Sequence, residues 1–304
     1  MKLDPPKRSG TAVVAVIVAV VVLISAIVLF ADFRPHGRFT LTVLFTGDLH
    51  GNMELMPKYQ TLINSEQRKG ETILLDCGDL YQGGSRQDKG GIPESLVLSS
   101  MKYDAMTLGN NEFWCPENSA EVCDENISAL ANNATFDILC ANVEKNGEYL
   151  QGVKPYTIID KRGLKIAIIG LTTNEMDNKE VQNKTLRDPV RVLNEVNNEL
   201  AGKADIKIVL SHCETEHNMA FSGVDAIVAG HIHQPTDVPV INNNGIPMVR
   251  AGGENKSELG KLVLELVEME DGSWRVDSYT FELLNARDAV ADQKISAIVA
   301  GLDG

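Results

Sequence analysis

The chain has 304 residues, of which 43% are hydrophobic, and a formal net charge of −14. This hydrophobic content is enough to bury a large core, in one large domain or two small ones. The acidic surface repels a phosphate backbone, so no polymeric nucleic acid is expected as a partner. A small phosphorylated substrate is still allowed, because bound metal ions carry their own local positive charge.

The first apolar segment covers residues 11–30, which contain no charged residue. As a helix this segment would span roughly 30 Å, the thickness of a bilayer core. We expect an uncleaved transmembrane signal-anchor helix at 11–30, after a short tail at 1–10 and before a linker at 31–38. A cleaved signal peptide is the alternative, but its apolar region is usually shorter and is followed by an A-x-A-like cleavage site, which the end of this segment matches poorly.

The basic residues around this segment predict its orientation. Lys2, Lys7 and Arg8 precede it, and Arg34 and Arg38 follow it. Basic residues favour the cytoplasmic side of a membrane span. We therefore expect a single-pass membrane protein with a cytoplasmic tail and an extracytoplasmic domain.

Beyond the linker, apolar patterns typical of strands alternate with patterns typical of helices. The predicted strands cover 39–45, 72–75, 105–108, 136–139, 156–160, 164–169, 206–210, 226–228, 261–267 and 274–283. The predicted helices cover 56–67, 93–102, 190–200 and 286–299. This alternation predicts one α/β domain over 39–304, with a largely parallel inner sheet extended or faced by antiparallel hairpins.

Five short polar clusters stand at the ends of apolar runs. Together they contain seven oxygen or nitrogen ligands: Asp48, His50, Asp79, Asn110, His212, His231 and His233. In α/β sheets, loops converge outside the carboxyl ends of the strands. Mixed Asp, Asn and His ligation suits two adjacent divalent metal ions, with Asp79 as a bridge. Mn, Zn and Fe are all compatible with this set, and such a pair hydrolyses phosphate esters.

The same clusters resemble the calcineurin-like metallophosphoesterase superfamily, in particular the N-terminal catalytic domain of the 5'-nucleotidase family. The resemblance rests on Asp48-x-His50, Gly78-Asp79, Gly109-Asn110, His212 and Gly230-His231-x-His233. It implies a four-layer α/β/β/α sandwich. It further implies that Asp48, His50, Asp79 and His233 hold one metal, that Asp79, Asn110, His212 and His231 hold the other, and that a hydroxide between the metals attacks phosphorus.

Two residues depart from the family pattern, which has His at Asn111 and Asp at Trp114. The family's His protonates the leaving oxygen, and an amide cannot do so. General acid catalysis contributes about 10²- to 10⁴-fold in rate. We expect a slower enzyme, or one whose leaving group needs no proton, unless His217 substitutes in space. A membrane-tethered protein that binds metal or phosphate without catalysis is the alternative.

The family's further domain, which grips the nucleobase, is not expected in this chain, and a partner protein could take its place. The chain also has five cysteines. Cys115 and Cys123 bracket a polar loop and are expected to form a disulfide in an oxidising compartment. The other three lie in or beside apolar strands, where a free Cys behaves as a small buried hydrophobe.

Overall fold

A computed structural model describes residues 37–82, 84–114, 119–176, 181–252 and 257–302. Residues Arg38–Gly304 form one compact unit. The predicted tail and the predicted span at 11–30 lie outside the described ranges. Within those ranges no helix has the length and the apolar character needed to cross a membrane.

The larger of two main sheets has seven strands, and its centre is parallel. An antiparallel hairpin extends it at one side. In spatial order the strands are β16 (Trp274–Asn285), β15 (Glu258–Glu268), β1 (Arg38–Thr46), β2 (Glu71–Asp76), β3 (Ala105–Thr107), β4 (Asp137–Leu139) and β7 (Val153–Lys154).

The second main sheet has six strands, four of which are parallel neighbours. An antiparallel strand lies at each of its two edges. In spatial order the strands are β13 (Val240–Ile241), β14 (Pro247–Arg250), β12 (Ala226–Ala229), β11 (Ile206–His212), β9 (Leu164–Thr172) and β8 (Tyr156–Lys161). A small third sheet contains β10 (Thr185–Leu186), β5 (Val143–Lys145) and β6 (Glu148–Tyr149).

Three apolar clusters show how the layers pack. Inner faces of both main sheets share one cluster, in which Val43 and Ile208 are fully buried. The outer face of the seven-stranded sheet packs against helices α1 (Met56–Gln67), α2 (Ile92–Met101), α3 (Ala120–Asn133) and α6 (Gln293–Ala300). The outer face of the six-stranded sheet packs against α4 (Pro189–Glu199) and the end of α5 (Thr215–Ala220). The layers thus follow the order helix, sheet, sheet, helix.

Burial on both faces explains the sequence of β1. Leu41, Val43 and Phe45 face the core between the sheets, whereas Leu44 faces the helices. A strand that is covered on both faces needs apolar residues at successive positions, and β1 has them at Val43, Leu44 and Phe45. The α/β prediction with a parallel inner sheet is therefore confirmed.

The cysteine predictions have separate outcomes. Cys77, Cys140 and Cys213 are free and buried, as expected. Cys123 is disulfide-bonded, but Cys115 lies outside the described residues. The Cys115–Cys123 pairing therefore stays a prediction.

Candidate metal centre

All seven predicted ligands lie at the carboxyl ends of parallel strands, and both main sheets supply them. Asp48 and His50 follow β1, Asp79 follows β2, Asn110 follows β3, His212 ends β11, and His231 and His233 follow β12. Because the carboxyl ends of parallel strands share one edge of a sheet, these loops meet. The sandwich of two sheets brings the two edges together.

Several of these ligands have a left-handed backbone. Positive φ is found at eight non-glycine residues of the described chain, and five of them are Asp48, His50, Asp79, His231 and His233. Such angles are uncommon for residues with a Cβ atom, and backbone strain concentrates at functional sites. Hydrogen bonds hold the strained loops: Asp48 N donates to Gly78 O at 2.8 Å, and His50 N donates to Asp79 O at 2.9 Å.

One set of donors is compact. Side-chain ligand atoms of Asp48, His50, Asp79 and His233 all lie within 4.8 Å of one another. His50 Nε2 is 3.2 Å from His233 Nε2, and the latter atom is 3.3 Å from Asp48 Oδ1. Two metal–nitrogen bonds of about 2.1 Å meeting at roughly 100° would separate their nitrogens by about this distance. The four residues therefore fit a single divalent ion.

Backbone carbonyls select the tautomer of two histidines. Nδ1 of His50 lies 2.9 Å from Gln82 O, and Nδ1 of His212 lies 2.6 Å from Cys77 O. A carbonyl oxygen only accepts a hydrogen bond, so Nδ1 carries the proton in both rings. In the neutral form of each ring, Nε2 then presents the lone pair that a metal ligand needs.

The second set of donors contains two buried polar atoms that lack a hydrogen bond, Asn110 Oδ1 and His212 Nε2. Such atoms cost free energy unless a cation or donor binds them. His212 Nε2 lies 3.2 Å from Asp79 Oδ2. The chemistry of Asp79, Asn110, His212 and His231 therefore fits a second divalent ion.

The pKa shifts of Asp79 and His212 also indicate a site for cations. Burial raises the pKa of Asp79, but the nearby charge of His212 outweighs burial and holds that pKa well below its ordinary value. Burial lowers the pKa of His212, but the charges of Asp79 and Asp48 outweigh it and raise that pKa to about 10. The site thus strongly favours positive charge, which divalent ions supply.

Two carboxylates that we did not predict support the ligand loops. Glu112 is fully buried, and it accepts hydrogen bonds from the backbone N–H groups of Asp79, Leu80 and Gly109 at 2.7 to 3.0 Å. The pKa of Glu112 is raised to about 7, mainly by burial and to a lesser extent by the charge of Asp79. The only signal in the sequence is its position directly after the Asn110-Asn111 pair.

Glu214 is the second of these carboxylates. Its Oε1 atom lies 3.3 Å from His231 Nε2 and accepts a hydrogen bond from Thr173 Oγ1 at 2.5 Å. Burial raises the pKa of Glu214, but these hydrogen bonds from His231 and Thr173 outweigh burial and lower it to about 2. An ionised carboxylate at Nε2 leaves Nδ1 of His231 as the atom available to a metal.

Asn111 bonds to the predicted bridging carboxylate. Its backbone N donates to Asp79 Oδ1 at 2.8 Å, and its Nδ2 donates to Asp79 Oδ2 at 2.5 Å. His217, the residue considered as a substitute acid, has its Nδ1 atom 3.1 Å from Glu214 Oε2 instead. His217 does not line the cavity beside Asn111 within the described chain.

That cavity has a volume of about 270 Å³ and opens beside the second set of donors. Trp114 forms part of its wall, and 53% of this side chain is exposed. The other lining residues are Asn110, Asn111, Thr173, Glu175, Met176, Glu214 and His231. We call this cavity the Trp114 pocket.

Comparison with known proteins places the chain in a family. The family model described as calcineurin-like phosphoesterase matches residues 41–235. A 5'-nucleotidase of Vibrio cholerae is 32% identical over 239 residues, which is 67% of this chain and 42% of that protein. The trifunctional nucleotide phosphoesterase protein YfkN of Bacillus subtilis is 27% identical over 76% of this chain, but only 18% of its own length is covered.

Solved structures agree on the fold. A 5'-nucleotidase precursor from Thermus thermophilus aligns with a TM-score of 0.73 at 22% identity, over 87% of this chain and 58% of that one. The chain thus spans less than two thirds of each of these relatives. Its sequence match, its fold and the position of its strand-end loops agree: the chain belongs to the calcineurin-like phosphoesterase family.

Proposed function

We propose that this chain is a membrane-anchored, extracytoplasmic phosphoesterase that uses two divalent metal ions to hydrolyse small phosphate mono- or diesters. The observation that carries the proposal is the place of Asp79. Its Oδ2 atom lies 3.2 Å from His212 Nε2 and 3.8 Å from His50 Nε2, between the two predicted sets of donors. Such a carboxylate suits a bridge between two metals.

The metals, when bound, supply Lewis acidity and a water of lowered pKa. The chain's own residues supply position. Glu112 holds the backbone of Asp79, Glu214 orients His231, and carbonyls orient His50 and His212. Asn111 can donate a hydrogen bond but holds no proton that it can transfer. We therefore expect rates to depend strongly on how well the leaving group accepts negative charge.

The first experiment is hydrolysis of 4-nitrophenyl phosphate and bis(4-nitrophenyl) phosphate by the full-length chain with added Mn²⁺. Nitrophenolate leaves without needing a proton, so the missing acid matters little here. We expect metal-dependent turnover that Asp79→Ala abolishes. Because named relatives are 5'-nucleotidases, nucleoside monophosphates belong in the substrate panel. Metal-loaded protein that hydrolyses no phosphoester would contradict the proposal.

A metal- or phosphate-binding protein without catalysis is the second candidate. It is favoured by the Asn111 amide, which bonds to Asp79 at 2.5 Å and cannot replace an acid. Asn111→His separates the two candidates. For a working enzyme, we expect it to raise hydrolysis of alkyl phosphates at least 10-fold relative to 4-nitrophenyl phosphate. A wild-type chain inactive on every ester, with activity appearing only in Asn111→His, would favour the second candidate.

The location of the protein is proposed from residues 11–30 and the basic residues before them. We expect the chain to remain with membranes after alkaline extraction, because about 20 apolar residues anchor stably. Protease added outside the cell should digest the domain and spare the tail. An intact mass that lacks the first 30 or so residues would instead indicate a cleaved signal peptide.

A further inference from the structure

The walls of the Trp114 pocket carry negative charge and an exposed indole. Glu175 and Glu214 are its charged side chains, and no Lys or Arg is among its described lining residues. Ligand atoms of Glu175, Glu214 and His217 lie within 4.8 Å of one another. Two carboxylates this close create a negative potential that attracts a cation.

Trp114 is a second, independent feature of the pocket that favours an organic cation. A tryptophan that is 53% exposed leaves a large apolar surface in water unless a ligand covers it. Indole is the best aromatic partner for an organic cation, and the attraction increases as water is excluded. A bare metal ion bound by the carboxylates would make no use of this ring, whereas an ammonium group would contact both.

The floor of the pocket connects these features to the metal centre. Asn110 and His231 line the pocket and also belong to the second set of predicted ligands. An ester whose phosphate binds at these two residues would therefore have its organic group beside the same cavity, which Trp114 also lines. The volume of about 270 Å³ lies below the usual range for sites of drug-sized ligands, so a small ester group fits best.

We propose that the Trp114 pocket binds the organic group of the substrate and selects phosphate esters that carry an amine or a quaternary ammonium. Trp114 covers one side of the cation, and Glu175 and Glu214 balance its charge. The inference rests on the proposed function, because the phosphate must lie at the metal centre. It makes Trp114 a specificity residue at a position where the family pattern has Asp.

The test compares two inhibitors of equal shape and different charge. Phosphocholine carries a trimethylammonium group, and 3,3-dimethylbutyl phosphate carries a neutral tert-butyl group in its place. Both compete with 4-nitrophenyl phosphate for the full-length, metal-loaded chain. We expect phosphocholine to have an inhibition constant about 3- to 30-fold lower than its neutral partner.

Three variants locate the effect. Trp114→Leu and Glu175→Gln should each move the ratio of the two inhibition constants toward one. Trp274→Phe is the matched control, since Trp274 packs edge-on against Phe39 and does not line the pocket. A wild-type ratio of one, or a ratio that Trp114→Leu leaves unchanged, would overturn the inference. So would tighter inhibition by adenosine 5'-monophosphate than by phosphocholine, which would indicate stacking of a flat ring.

Fluorescence gives a readout that needs no turnover. The chain has two tryptophans, so Trp274→Phe leaves Trp114 as the single indole. In the Zn²⁺-loaded variant, phosphocholine should change the emission at lower concentration than 3,3-dimethylbutyl phosphate. If no ester is hydrolysed but this difference is found, the proposed catalysis fails and the cation preference stands. If 4-nitrophenyl phosphate is hydrolysed but the two esters give equal fluorescence titration curves, only the cation preference is refuted.

Discussion

At the scale of single residues, the candidate site depends on groups that orient the ligands as much as on the ligands. A histidine binds metal through one nitrogen, and the partner of its other nitrogen decides which one. Main-chain carbonyls perform this role for His50 and His212, whereas Glu214 performs it for His231. Of these orienting groups, only Glu214 is a side chain and can be changed by mutation.

Glu214→Gln should weaken binding of one metal ion about 10- to 100-fold, because the amide no longer offers a charged acceptor to His231. Isothermal titration calorimetry of the metal-free proteins with Zn²⁺ measures this loss of affinity. Glu216→Gln is the matched control, as Glu216 is exposed in helix α5, two residues after Glu214. Equal affinities in all three proteins would mean that Glu214 does not orient His231.

At the scale of elements, the long hairpin at one side of the larger sheet fits closely against β1. Gly260 is opposite Phe45 in the register of β15 and β1. A Cβ atom at Gly260 would lie 2.3 Å from Phe45 Cζ, and Phe45 stacks on Phe281 with ring centroids 6.2 Å apart. The absence of a side chain at Gly260 therefore makes room for the Phe45 ring, three residues before Asp48.

Gly260→Ala should lower the free energy of unfolding by about 1 to 3 kcal/mol, since overpacking forces the ring or the strand to move. Gly70→Ala is the control, because no atom lies within 4 Å of a Cβ there. Urea denaturation of both variants measures the difference. Equal midpoints would show that Phe45 rearranges without cost.

A second link joins α3 to the small sheet. Asp124 pairs with Lys145 at 2.5 Å and with Lys184 at 2.6 Å. Burial raises the pKa of Asp124, but hydrogen bonds from Lys145 and Lys184 outweigh it, so that pKa lies below its ordinary value. Such a carboxylate stabilises the fold above the pKa of the unfolded chain, and the contribution is lost as pH falls through the lowered folded value.

Asp124→Asn should therefore reduce stability at pH 7, and its difference from wild type should shrink as the pH falls below about 4. Thermal unfolding between pH 7 and pH 3 tests the trend. Glu125→Gln, at the exposed neighbouring position, should show no such convergence. A difference that stays constant with pH would assign the effect to lost packing instead of charge.

Local patterns predicted some elements better than others. Apolar spacing gave the bounds of α1 and the central strands closely, because those faces are buried. The last helix was predicted at 286–299 but begins at Gln293, where Asp292 caps it by accepting from Ile295 N. Helix α3 was missed, although Cys123, Ile127 and Leu130 have the spacing of a buried helical face.

At the scale of the whole molecule, the candidate metal centre lies where two sheets meet. The predicted ligands that follow β1, β2 and β3 lie near those of β11 and β12, which belong to the other sheet. Bound metal would thus tie the two halves of the domain together. Any ion that binds the folded chain and not the unfolded chain stabilises it by mass action.

Metal at about 100 times its dissociation constant should contribute about 2.7 kcal/mol, which raises the melting temperature by roughly 5 to 10 °C. A chelator should reverse this rise in melting temperature, and the Asp79→Ala variant should show no rise when metal is added. Asp288→Asn, an exposed aspartate away from the ligand loops, should keep it. Scanning calorimetry with Mn²⁺ or Zn²⁺ measures these shifts in melting temperature. Equal shifts in Asp79→Ala and Asp288→Asn would exclude metal binding at Asp79.

Sequence alone was enough to predict the ligand types, their place after apolar strands and the parallel centre of the sheets. Each of these follows from local periodicity and from the chemistry of Asp, Asn and His. Tertiary structure alone decided that Asp79 lies between His50 and His212, that Glu112 and Glu214 hold the loops, and that Trp114 borders a cavity. These contacts join residues from different strands and sheets, and local patterns carry no information about which distant loops will meet.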